Sequence, residues 1–83
     1  MPPRKRVLDV RGLVCPLPLA ATAREVAVAE PGTTIEVLVT DPASCESIVA
    51  WARREGHEVV AVESAGDHKK VVIRKRERGK ECI

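Results

Sequence analysis

Gly12-Leu13-Val14-Cys15-Pro16-Leu17-Pro18 sets a single cysteine between an apolar run and two alternate prolines, a spacing that points to thiol chemistry. Proline at the first helical position costs little, because its missing N–H has no intrahelical partner and its ring pre-sets a helical φ. Pro16 therefore predicts a helix start, and Pro18 still falls inside the first turn, whose donors are orphaned. Cys15 is then expected as N-cap, with the Leu17 N–H as the donor left to point at its sulfur. The positive helix end, together with Arg11 four residues upstream, favours an anionic sulfur and so a nucleophile. Pro18 occupies the place where a dithiol redox motif carries its resolving cysteine, so no local disulfide can form. A group loaded onto Cys15 stays until a partner removes it. The competing structural reading, a small buried residue preceding a helix, stays open at this point.

The other polar groups are less sharply placed. Cys45 shares a helical stripe with Ile48, Val49 and Ala52, which makes it a core residue first; a possible second thiol there requires an exposed sulfur. Cys82 lies in a basic tail and carries no assigned chemistry. His57 follows the helix-stop Gly56 and His68 lies at a hairpin tip, so the chain places neither beside Cys15 and neither suggests a metal site. Asp9 and Arg11 flank the loop; each could order it or pair elsewhere.

Eighty-three residues build one small core, and Trp51 is the only aromatic, so that core is Val, Leu, Ile and Ala. A lone Trp argues against nucleic-acid binding through stacked aromatics. No apolar run reaches the length of a membrane span, and the first residues lack a signal peptide's apolar region, which predicts a cytoplasmic protein. Three cysteines at unrelated spacings suit neither a disulfide framework nor a zinc cage, and no cofactor is implied. The net charge of +2 hides a split. Residues 1–6 carry three basic groups and 74–83 five basic against two acidic, whereas 7–73 hold six basic and ten acidic. Basic ends on an acidic body read as solubilising termini, or as arms for an acidic partner or a nucleic acid.

The elements that position Cys15 follow from periodicity. Val7-Leu8-Asp9-Val10 is a short strand ending at Arg11-Gly12. From Pro16 to Glu30, Leu19, Ala20, Ala23, Val26 and Ala27 recur at helical spacing until Glu30-Pro31-Gly32 stops the helix. Thr33 to Thr40 alternates as a second strand. Asp41-Pro42 repeats the cap-then-proline pattern and opens a second helix that ends near Glu55-Gly56. Glu58–Glu63 and Lys70–Lys75 form an antiparallel hairpin across Ser64–His68. The order β-α-β-α-β-β, with right-handed crossovers, predicts an α+β two-layer sandwich with both helices on one face of a mixed four-stranded sheet. Cys15 and the Asp41–Cys45 turn should then emerge at the same sheet edge.

Leu8-Asp9-x-Arg11-Gly12-Leu13-x-Cys15-Pro16-x-Pro18, with Pro31-Gly32, Thr40-Asp41-Pro42-Ala43, Gly56-His57-Glu58-Val59 and Val72-Ile73-Arg74-Lys75, resembles the TusA/SirA-like sulfur-carrier family from about Val7 to Lys75. The resemblance implies a fold like the C-terminal domain of translation initiation factor three. It also implies that Cys15 accepts a sulfane sulfur from a cysteine desulfurase or rhodanese-type donor and carries it as a persulfide to a downstream acceptor protein. The sulfur would end in tRNA thiolation, sulfur oxidation or molybdenum-cofactor metabolism. The chain would be a sulfurtransferase-type relay, a carrier rather than a turnover enzyme. Cys15 is the expected reactive residue, supported by Arg11, Gly12, Pro16, Leu17 and Pro18. The implied organisation is a basic extension over 1–6, a carrier domain over 7–75 and a basic tail over 76–83. Ser44-Cys45-Glu46-Ser47 departs from the family's usual basic-then-acidic pair, which bears on partner choice. Two rival functions remain open: a nucleic-acid or ribosome-associated module working through the basic termini, and a thiol redox or regulatory protein pairing Cys15 with Cys45.

Overall fold

The valine- and isoleucine-rich runs form one sheet, and the two capped segments form helices that close one of its faces. In the computed structural model, which describes residues 4–76, the order is β1 (Lys5–Asp9), α1 (Leu17–Val28), β2 (Thr34–Val39), α2 (Pro42–Arg54), β3 (Glu58–Ser64) and β4 (Lys69–Arg74). The sheet order is β1-β2-β4-β3; β1 runs parallel to β2, and β4 lies antiparallel to both β2 and β3. This is the expected α+β sandwich. Cys82 and most of the expected basic tail lie outside the described residues.

Alternation explains the core. Ile35, Val37 and Val39 of β2 and Val71 and Ile73 of β4 point toward the helices and are at most 1 % exposed. Val26 of α1 and Ile48 and Ala52 of α2 meet them. On the opposite face Glu36 pairs with Lys5 at 2.9 Å, and Lys70 bridges toward Glu63 at 3.5 Å, so that side is laced with charge. Strand β1 starts two residues earlier than expected, at Lys5, because Arg6 shares Leu8's face and pairs with Glu25 of α1.

Helix α1 departs from its predicted stripe. Pro18, Thr22 and Val26 are its buried positions, while Ala20 and Ala27 are exposed. The stripe has rotated because Pro18 turns inward and Thr22, close to valine in size and shape, is fully buried beside it. The C-terminal carbonyls of α1 are capped from far along the chain, by Lys75 Nζ donating to the Ala29 oxygen at 2.7 Å and the Ala27 oxygen at 3.3 Å. Helix α2 follows its reading: Asp41 is the N-cap, Pro42 begins the helix, and Ser44, Cys45, Ile48 and Ala52 face inward with Val49 half-buried.

Candidate functional site

Parallel pairing of β1 and β2 brings the exits of both strands to one edge, and the two exit loops are tied together there. Strand β1 gives way to a tight turn closed by the Leu13 N–H donating to the Val10 carbonyl at 3.3 Å. Gly12 holds φ +85° in that turn, a region side chains rarely adopt. Beyond it the Gly12 N–H donates to Thr40 Oγ1 at 2.9 Å and the Cys15 N–H to Asp41 Oδ2 at 3.3 Å. The same carboxylate oxygen accepts from the Ser44 N–H at 3.2 Å and from Ser44 Oγ at 2.7 Å. These donors, the Ser44 hydroxyl foremost, lower the Asp41 pKa below the ordinary carboxylate value. One residue thus caps α2 and anchors the thiol loop. Thr40 and Asp41 were missing from the expected site; their shared sheet edge with Cys15 was the available signal.

Cys15 is exposed at the tip of this loop, flanked by the exposed side chains of Leu13, Val14 and Leu17. Its expected role as N-cap does not hold. The Cys15–Pro16 peptide bond is cis, and the Leu17 N–H donates to the Val14 carbonyl at 2.9 Å, so it is not available to the sulfur. Pro16 takes the N-cap position with no side-chain cap, and Pro18 is buried against the core. Arg11, expected as a positive neighbour, instead forks onto Asp9: Nε donates to Oδ1 and Nη2 to Oδ2, both at 2.9 Å. That fork, with the Arg11 backbone N–H, lowers the Asp9 pKa to about 2. The Arg11 guanidinium is thus held on Asp9, two residues back along the chain.

The histidines separate. His68 reaches the Cys15 edge, where its Nδ1 lies 2.8 Å from Asp67 Oδ1, while Asp67 feels Arg11. His57 lies at the opposite edge, where its Nδ1 accepts from the Arg76 N–H at 3.1 Å. Burial, then Arg76 and Lys75, pushes its pKa down. It lines a cleft of about 550 Å³ with Trp51 and Lys75, away from the thiol. Cys45 is 7 % exposed, inside the core cluster, and burial pushes its thiol pKa up. The exposed sulfur that a second carrier thiol requires is absent at this position. Among the described residues no group of His, Cys, Asp and Glu could hold a metal ion, and no helix is long and apolar enough to cross a membrane.

This arrangement offers an exposed thiol on an anchored loop. A protein of Archaeoglobus fulgidus named as a sulfur carrier is 36 % identical over 69 residues, covering 83 % of this chain and 94 % of its own. The sulfur carrier protein TusA of Allochromatium vinosum is 31 % identical over 68 residues, covering 82 % and 90 %. The crystal structure of a SirA-like protein from Desulfitobacterium hafniense superposes with a TM-score of 0.75 at 26 % identity, covering 87 % of this chain and 99 % of its own. The family described as sulfurtransferase TusA matches residues 6–75. Given that span, the chain belongs to the TusA family of sulfur carriers.

Proposed function

We propose that the chain relays sulfane sulfur as a persulfide on Cys15, and that the 7–75 domain is the working unit. The observation that carries this reading is the exposure of Cys15 on a loop whose backbone is fixed by Thr40 and Asp41, with Pro18 where a resolving thiol would stand. Cys15, its proton lost to solvent, attacks the terminal sulfur of a donor protein's persulfide. A new S–S bond forms at Sγ as the donor's S–S bond breaks, and the electron pair leaves on the donor's thiolate. No external oxidant or reductant is needed. The acceptor repeats the step in reverse, taking the terminal sulfur and restoring the Cys15 thiolate. Among the described residues no exposed thiol besides Cys15 is present to displace it as sulfide, so the bound sulfur persists between the two encounters.

The donor is a cysteine desulfurase or rhodanese-type enzyme, and the acceptor a protein feeding tRNA thiolation, sulfur oxidation or molybdenum-cofactor metabolism. Intact-protein mass after mixing with either donor and its sulfur source tests the step. A gain of one sulfur atom, removed by reductant and absent in Cys15→Ser, is expected. No gain with any donor, or a gain retained in Cys15→Ser, refutes it.

A further inference from the structure

Helix α1 is apolar on the face it buries and nearly uncharged on the face it leaves open. Its exposed residues are Leu17, Ala20, Arg24, Ala27 and Val28, with Arg24 the only charge, whereas the outward face of α2 carries Glu46, Arg53 and Arg54. A helix apolar all round is normally covered on both sides. Here the sheet covers one. The open stripe begins at the thiol: Val14 is 62 % and Leu17 54 % exposed, and Leu13, Leu17, Ala20, Ala21 and Arg24 line a shallow groove of about 330 Å³ beside Cys15. Arg24, seven residues beyond Leu17, sits about 10 Å further along the axis. It makes no ion pair among the described residues.

Resting on the sulfur-carrier reading, we infer that this stripe is the docking surface for the proteins that exchange sulfur with Cys15. The fitting partner segment is apolar, and it carries a carboxylate that meets Arg24 about 10 Å along the helix axis beyond Leu17. The small Ala20 and Ala21 let that segment approach the helix closely. A second copy of this chain fits poorly: two α1 helices packed antiparallel about their midpoints would bring the Arg24 charges within roughly 5 Å along the axis, and such like-charge contacts disfavour a partner. Sulfur would then pass by protein contact along α1 and not from whatever small molecule diffuses to the thiol.

The test compares two sulfur sources in Ala20→Glu, Arg24→Glu and, as a control on the outward face of α2, Ala50→Glu. The sources are inorganic polysulfide and the faster of two protein donors, rhodanese with thiosulfate or cysteine desulfurase with cysteine. Transfer from the protein donor should fall by about tenfold or more in the two α1 variants and hold in Ala50→Glu, with polysulfide loading equal in all. Protein-donor rates within about twofold of the parent would overturn the inference, as would an equal loss with polysulfide or a parent that loads from polysulfide alone. A sedimenting dimer dissolved by Ala20→Glu would also overturn it, by making a second copy the occupant. A parent whose Cys15 takes sulfur from no source fails at the carrier reading itself, and the inference falls with it.

Discussion

Ser44→Ala isolates the contact on which the site's anchoring turns. Ser44 is fully buried, and its hydroxyl donates to Asp41 Oδ2 at 2.7 Å, the oxygen that also receives the Cys15 N–H. A hydrogen bond to an ionised group stabilises by about 1.5–3 kcal/mol. The partly solvated acceptor places this one near the lower end, and alanine recovers about 0.5 kcal/mol of helix propensity. The net loss is about 1 kcal/mol, which lowers the melting temperature of a domain this size by about 4–8 °C. The sign of the pH dependence follows from Asp41, whose folded pKa is depressed chiefly by this hydroxyl. Its stabilisation is fully present above the unfolded carboxylate value of about 4 and is lost as pH falls through the lower folded value. Urea titrations of parent and variant should therefore differ at neutral pH and converge on acidification. Equal midpoints at neutral pH, or a gap that does not narrow below about pH 4, would refute the reasoning.

Two further outcomes follow. In a Cys82→Ala background at neutral pH, iodoacetamide should label Cys15 and spare Cys45 until denaturant is added, because only Cys15 is exposed and burial raises the Cys45 thiol; native labelling of both thiols at similar rates would contradict that. Lys75→Met keeps the aliphatic stem but removes the donor to the Ala29 and Ala27 carbonyls, and should cost about 1 kcal/mol in urea titrations while leaving Cys15 alkylation unchanged; an unchanged midpoint would show that water replaces the cap.

How much could be read from the chain depended on whether the deciding contact was local. Asp41-Pro42 was legible as a cap because its acceptor, the Asp41 side chain, and its donor, the Ser44 N–H, are three residues apart. The same logic misplaced the start of α1, where the Leu17 N–H had a nearer acceptor in the Val14 carbonyl, and a backbone oxygen is a better acceptor than a thiol sulfur. Periodicity failed for α1 because alanine occurs on both its faces and says little about which one is inward; Pro18 and Thr22 settled that by fitting the core. The position of His68 depends on the strand order β1-β2-β4-β3, which the β-α-β-α-β-β element order does not by itself specify. Lys75 capping α1 spans 46 residues and leaves no local trace.

The two described cysteines differ in chemistry although both hang from Asp41. The Cys45 N–H donates to the Asp41 backbone carbonyl at 3.0 Å, in the first turn of α2, and the helical stripe then turns its sulfur into the core beside Ile48. The Cys15 N–H donates to the Asp41 side chain, which holds the loop's backbone but leaves its sulfur outside the body of the protein. Asp41 thus separates an inner thiol from an outer one at a single sheet edge. A Cys15–Cys45 disulfide, as a redox role demands, needs the buried Cys45 sulfur to meet one that is exposed on the loop. The burial of one sulfur and the exposure of the other therefore oppose that pairing.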